Sequence, residues 1–382
     1  MAHIAIFCDG TWNSTQSEAP THVLRLSRAC LRSPEQIVIY TEGVGTGTGR
    51  ISGLGRWLSR VGGGLFGWGL NRNIASTYLQ LCQCYQPGDK ILIFGFSRGA
   101  FTARSLAGLI RKCGILEDPT PANLRRAFRL YRRRGARNAP DQPHIRAARQ
   151  ILSPRYATSQ TDIRARADDS HLVRIAYLGV WDTVGALGIP EPVFGRWARW
   201  WNARYAFHDT RLSHLVEAAR HAVALDERRK PYIPTLWDNL DDAPDASGLN
   251  QGDSSPDRPY QQMWFVGDHG IVGGSAQTRA LADIALAWIW EGAARQGLRL
   301  TPGVAIPDVP LNPVTATSEI DDHGWLYRWV PRLLRWRQGP DQSIDVHDTV
   351  RLRVAGRSDY RPLSLRRLMP ALSRLDETPP AG

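Results

Sequence analysis

The chain has 382 residues, 42% of them hydrophobic and 22% charged, with a formal net charge of +12. It is long enough to bury a large core, yet no apolar run is long enough to cross a bilayer as a helix. Its five cysteines are odd in number and scattered, which fits reduced thiols and excludes a disulfide framework; Cys82 and Cys84 have no second pair to complete a metal site.

The chain starts as a strand: residues 4–8 are apolar, and no basic leader precedes them, which points to a cytoplasmic protein without a signal peptide. The loop Cys8-Asp9-Gly10-Thr11-Trp12 follows, and residues 36–40 form the second strand. The stretch from Gly43 to Gly69 is glycine-rich and apolar, as expected of a flap beside a site. Within it Gly62, Gly64 and Gly67 match a dinucleotide-binding pattern, but residues 57–61 read as helix, so the strand that such a site requires is missing and no nicotinamide is expected. Residues 73–85 form a helix closed by Pro87-Gly88, and residues 91–96 form the third strand.

An arginine-rich insertion covers about 115–170, densest from Arg125 to Arg137 on a surface helix whose charges face solvent. The fourth strand is 173–181. A second insertion, about 186–260, includes Trp197, Trp200 and Trp201 among arginines and ends in a polar loop, 241–258. Residues 263–266 are the fifth strand, and 281–294 form a helix that turns Ile284, Leu286, Trp288 and Ile289 to the sheet. From about 301 to 382 the composition shifts to proline, tryptophan and arginine, as in a C-terminal extension packed on a 1–300 core. Trp325, Trp329 and Trp336 lie there, again among arginines.

Almost continuously apolar strands alternating with helices indicate an α/β fold: a mostly parallel, doubly wound sheet with helices on both faces and the insertions forming a cap. One turn in it carries chemistry. The third strand ends in Gly95-Phe96-Ser97-Arg98-Gly99, followed by helix-forming residues. Strand, tight turn and helix around Gly-x-Ser-x-Gly make a nucleophile elbow, in which Gly95 and Gly99 let the elements approach and Ser97 stands exposed above the sheet.

A serine hydroxyl needs a base, and the base needs a carboxylate to fix its tautomer. Asp182 follows the fourth strand directly, and His269 comes after the fifth, both at the ends where crevices form in parallel sheets. They come in the order Ser, Asp, His of doubly wound hydrolases. The oxyanion would be met by the amide of Arg98 and by that of Gly10 or Thr11, with Asp9 orienting the loop rather than touching substrate. Asp226 is a rival acid, although Arg228 and Arg229 beside it suggest an ion pair. His347 is a rival base, but no strand-end glycines accompany it.

Several blocks resemble a known family: residues 7–13, 43–47, 69–74, 94–104, 179–185 and 224–228, His269 with Gly273-Gly274, and the tail from His347 to Pro362. The family was once classed as a domain of unknown function. It is now grouped with the catalytic domain of type VI secretion phospholipase effectors of the Tle1 kind. The resemblance implies an α/β-hydrolase fold, a triad at Ser97, Asp182 and His269, and phospholipase activity on membrane glycerophospholipids. It also makes export through a contractile secretion machine compatible with the lack of a signal peptide. Relatives commonly read His-Ser-Asp-Val-Gly-Gly, whereas Gly270 and Ile271 stand here in place of Ser-Asp, so any role of that aspartate is absent or falls to Asp268.

The expected activity is hydrolysis of a carboxylic ester, a phospholipid above all, without metal or organic cofactor. The basic surface suits peripheral contact with an anionic membrane. A non-catalytic module for anionic membrane or nucleic acid on the same scaffold is the alternative, although no nucleic-acid recognition motif supports the second partner. The sequence leaves the oligomeric state open.

Overall fold

A computed structural model of the chain describes residues 1–10, 20–43, 64–166, 170–185, 211–240, 248–275, 278–316 and 333–373. Thr11, residues 44–63 of the expected flap, Trp197, Trp200, Trp201, Trp325 and Trp329 lie outside them, as does the start of the dinucleotide-like motif.

Eight strands and ten α-helices lie among the described residues, the last helix being the short Met369–Ser373. In chain order they are β1 His3–Cys8, α1 His22–Ala29, β2 Gln36–Thr41, α2 Gly64–Cys84, β3 Lys90–Phe96 and α3 Arg98–Cys113. Helices α4 Pro121–Tyr131 and α5 Pro143–Leu152 follow, then β4 Tyr156–Ala157, α6 Gln160–Arg164 and β5 His171–Leu172. The rest are β6 Arg174–Trp181, β7 Ala219–Ala224, β8 Tyr260–Phe265, α7 His269–Gly273, α8 Arg279–Arg295 and α9 Asp348–Gly356.

The main sheet has the order β2-β1-β3-β6-β7-β8 and every pairing in it is parallel. Side chains alternate between its faces, as strand geometry requires. Ile4, Ile6, Ile91 and Ile93 meet Leu106, Leu109 and Ile110 of α3 on one face. Ala5, Phe7, Leu92 and Phe94 meet Val23 and Leu26 of α1 and Ile284 and Ile289 of α8 on the other. Both faces are therefore covered, which is the doubly wound α/β architecture expected from the continuous apolar strands.

The sequence predicts five main-sheet strands, and six pair among the described residues. The additional strand, β7, falls inside the stretch expected as the 186–260 insertion. It lies between the strands that lead to Asp182 and to His269. Its residues are all buried, but Ala219-Arg220-His221-Ala222-Val223-Ala224 is small and polar and carries little strand propensity. The interior accepts Arg220 because Nη1 donates to the Trp288 carbonyl at 2.5 Å while the guanidinium lies over the Trp288 ring.

The first insertion is helical, with α4, α5 and α6 and the short β4–β5 pair. Arg149 and Asp162 form a buried ion pair at 2.9 Å that ties α5 to α6. The arginines from 125 to 134 on α4 and just after it are mostly exposed. Near the C-terminus, the His347 amide donates to the Trp264 carbonyl, so this segment covers part of the β8 edge. Among the described residues no helix is long and apolar enough to cross a membrane.

Candidate active site

Ser97 lies between β3 and α3 with φ 58° and ψ −122°, a backbone conformation that side chains rarely adopt. The glycines around it make the turn possible. A β-carbon on Gly95 would lie 2.5 Å from the Gly99 carbonyl oxygen, and one on Gly99 would lie 2.1 Å from that of Cys8. The start of α3 is thus pressed against the exit of β1, with backbone on both sides. Ser97 occupies the N-cap position, yet its hydroxyl makes no capping bond.

That hydroxyl is instead 2.8 Å from Nε2 of His269. On the other side of the ring, Nδ1 is 2.5 Å from Oδ2 of Asp182. With Asp182 ionised, Nδ1 carries the proton and Nε2 is left to accept from the serine. The three residues follow three different strands, β3, β6 and β8, and meet at the carboxyl ends of the sheet. Phe96 and Tyr232 flank the imidazole, with ring centroids 4.7 and 4.6 Å away.

Asp182 is fully buried and has φ 38°. Oδ1 accepts from the amide of Ala224 at 2.9 Å, where β7 ends. Arg337 spans both oxygens, Nη1 to Oδ1 at 2.7 Å and Nη2 to Oδ2 at 2.9 Å. Burial alone would raise the carboxyl's pKa; the Arg337 charge and its hydrogen bonds, with the His269 bond, outweigh burial and hold it well below the usual carboxylate range. Beneath it, burial, and after that Arg104, pushes His221 down to about 3, so its ring is neutral. His221 Nε2 accepts from the Thr183 amide at 3.1 Å, which leaves Nδ1–H to donate to Gln262 Oε1 at 2.9 Å.

The loop that carries His269 is held from β7 as well. Asp226 Oδ2 accepts from the Gly267 amide at 2.8 Å, and Glu227 Oε2 accepts from the His269 amide at 3.2 Å. Glu227 is paired with Arg229, whose Nη2 lies 2.6 Å from Oε2. The ion pair expected at Asp226 therefore belongs to Glu227. Asp226 instead accepts from the Tyr360 hydroxyl at 3.0 and 2.9 Å, and burial raises its carboxyl to about 7.

Gly273 and Gly274 leave room for Phe96 and His22. Added β-carbons would lie 2.0 Å from the phenyl ring and 2.4 Å from Nδ1 of His22. Asp268 caps α7 through the Ile271 amide at 2.9 Å. Ile271 is buried in the apolar cluster of the second sheet face, so position 271 offers the site no polar group.

The other candidates fall as follows. Arg98 opens α3, where helix geometry directs the first N–H groups out of the N-terminus. The Gly10 amide donates to its neighbour Asp9 Oδ1 at 2.7 Å. Asp9 also accepts from the hydroxyls of Thr21 at 2.8 Å and Tyr40 at 2.7 Å, which hold the loop after β1. The nearby thiol of Cys8 is pushed up to about 12 by burial and is no nucleophile. His347 caps α9, bonds Thr349 and stacks on Phe265 at 4.4 Å, with no bond to Ser97.

Arg337, Glu227 and His221 were not among the expected residues. The block 224–228 marked the place of Glu227, but nothing in the local sequence separates Arg337 from the other arginines of the tail. Among the described residues no cluster of His, Cys, Asp and Glu could hold a metal ion.

Comparison with known proteins places these residues in context. The family model described as the catalytic domain of Tle1-like type VI secretion phospholipase effectors matches residues 2–292. An uncharacterized protein of Saccharomyces cerevisiae is 29% identical over 253 residues, which are 62% of this chain and 34% of that protein. A crystal structure of an uncharacterized protein from Pseudomonas aeruginosa is similar over 78% of this chain and 47% of that one, at 16% identity and a TM-score of 0.38. The Tle1 effector bound to the VgrG spike of a type VI secretion system is similar over 72% and 51%, at 16% identity and a TM-score of 0.35. The chain thus spans about a third of the yeast relative and about half of each solved structure.

Proposed function

The chain belongs to the Tle1-like phospholipase effector catalytic family, and from that premise we propose that it is a serine hydrolase that cleaves carboxylic esters of glycerophospholipids. The observation that carries the reading is the unbroken chain of hydrogen bonds from Ser97 through His269 to Asp182. Strain adds to it. Of the three non-glycine residues with positive φ among the described residues, two, Ser97 and Asp182, are members of that chain and the third, Gln251, lies elsewhere; strained backbone persists where function requires it. A non-catalytic binding scaffold has no use for either.

Ser97 Oγ attacks the ester carbonyl as its proton passes to His269 Nε2. Asp182 keeps Nδ1 protonated and stabilises the imidazolium. The oxyanion is met by the Arg98 amide and by a second amide of the loop after β1, that of Gly10 or Thr11. His269 then returns the proton to the departing alcohol, leaving an acyl group on Ser97. Water attacks that ester by the same route in reverse, releasing the acid and restoring the serine. Proton transfer and nucleophilic attack need no metal at any step. The phospholipid class comes from the family description, and the ester bond is the chemistry of the elbow itself.

The test is labelling by a fluorophosphonate, which requires a serine activated by a base. Wild type labels and Ser97→Ala does not, and wild type releases fatty acid from phospholipid vesicles. Equal labelling of both proteins would falsify the assignment. Turnover of short esters without any phospholipid would overturn the lipid substrate alone.

A further inference from the structure

We propose that Arg337 is a positioning residue for the reaction: it clamps both oxygens of Asp182 from behind and fixes the carboxylate that orients His269. The inference rests on the triad proposed above. Arg337 lies outside the residues matched by the family model, 2–292, and completes the site from beyond them.

The geometry carries the argument. Nη1 divides its bonds between Asp182 Oδ1 at 2.7 Å and the Ala224 carbonyl at 2.6 Å. Nη2 divides its bonds between Asp182 Oδ2 at 2.9 Å and the Tyr232 carbonyl. Each of the two terminal guanidinium nitrogens therefore holds one carboxylate oxygen and one backbone carbonyl, which fixes the plane of the fork. The carboxylate cannot turn about its Cβ–Cγ bond without breaking two charge-assisted bonds. The direction of Oδ2 toward His269 Nδ1 is fixed with it. The Arg337 side chain is 5% exposed, so its charge is little screened by water.

The same charge bears on the base. The groups facing His269 are Asp182 at the end of β6, Ser97 at the elbow, and Glu227 with its partner Arg229 beyond β7. Asp268 adjoins it in the chain, and Tyr232 contributes a ring. Glu227 and Arg229 offset one another, and Arg337 offsets Asp182. When His269 takes the serine proton, the Asp182–Arg337 pair presents it with less negative potential than a bare carboxylate would. Loss of the guanidinium leaves a buried carboxylate that favours the imidazolium, and the base is then lost at higher pH.

A mere staple for the C-terminal segment would affect stability and leave the pH response unmoved. The experiment is the rate of fluorophosphonate labelling against pH for the full chain, wild type, Arg337→Gln and Arg337→Lys, with urea unfolding of each. The acid limb of Arg337→Gln moves up by about one pH unit, the low end of shifts from a charge at this range. Arg337→Lys keeps the charge without the fork, so its limb stays near wild type while its rate falls about tenfold, the cost of a misplaced base. If Arg337→Gln does not fold, the Lys variant decides alone, and a wild-type rate in it overturns the proposal. A folded Gln variant whose limb superimposes on wild type overturns it too. Failure of wild type to label sinks the triad itself, a result distinct from either.

Discussion

The amide of His269 donates to Oε2 of Glu227 at 3.2 Å, and Arg229 grips the same carboxylate through Nε at 2.9 Å and Nη2 at 2.6 Å. The base is thus held at its backbone by one carboxylate and at its ring by another. Burial works against the charge on Glu227, and the Arg229 bonds more than offset it. Glu227→Ala leaves Arg229 without this partner and frees the His269 amide. Breaking a buried pair costs about 3–5 kcal/mol; Arg229 is 19% exposed, which trims the expectation to about 2–3 kcal/mol. Urea unfolding measures that loss. Labelling of Ser97 slows by about tenfold or more, because the loop that carries the base loosens. A variant as stable and as active as wild type sinks this account of the loop.

Gly99 sets a second limit. Its missing β-carbon would lie 2.1 Å from the Cys8 carbonyl and 2.5 Å from that of Asp9, and neither is a side chain that can rotate away. Gly99→Ala must therefore push α3 off β1 and carry Ser97 with it. A displacement of about 1 Å at a nucleophile costs on the order of a hundredfold in rate. Labelling kinetics and far-UV circular dichroism together check this: a folded variant with wild-type labelling contradicts the close approach.

These two relationships show what could be read in advance. The elbow was legible because its pattern is local: Gly95, Ser97 and Gly99 lie on one turn, although the backbone that crowds Gly99 is that of Cys8 and Asp9. Asp182 and His269 were legible because each comes after a strand, Asp182 immediately after β6 and His269 beyond the short Val266-Gly267-Asp268 link that follows β8. Strand β7 was not, since Ala219, Ala222 and Ala224 are weak strand formers and Arg220 and His221 disguise its burial. With β7 went the Ala224 amide, and Asp226 and Glu227 lost their setting, because all three act from its end. Arg337 was illegible for another reason. It is 155 residues from Asp182 in sequence, and only the folded chain brings the two together.

The departure at positions 270 and 271 makes a contrasting pair. A β-carbon on Gly270 would meet nothing closer than 3.4 Å, from Asp268 Oδ1 and Ser275 Oγ. Gly270→Ser is therefore expected to stay within about 0.5 kcal/mol of wild type, as surface changes do. Ile271 is 3% exposed among apolar side chains. Ile271→Asp places an unpaired carboxylate there, at a cost of about 4 kcal/mol or more. Chemical denaturation of the two variants separates them. An equally stable Ile271→Asp would mean that position 271 can still take the aspartate that the family resemblance leads one to expect there.

Asp226 gives the fold a dependence on pH whose sign is fixed by burial. Its carboxyl rises to about 7 in the folded chain, chiefly through desolvation, which the Gly267 amide and the Tyr360 hydroxyl only partly offset. An unfolded aspartate ionises near 3.9. Between those values the folded chain keeps a proton that the unfolded chain has released. Stability from this residue is therefore full below about pH 4 and declines as pH rises toward about 7, opposite to the usual behaviour of a salt-bridged carboxylate. Asp226→Asn imitates the protonated form at every pH. It should flatten the decline over that window and leave the variant more stable than wild type at neutral pH, with the bond from the Gly267 amide retained by the side-chain carbonyl. Unfolding free energies from pH 4.5 to 8 on both proteins decide it: parallel curves would mean that Asp226 is ionised throughout and that Tyr360 and Gly267 outweigh its burial.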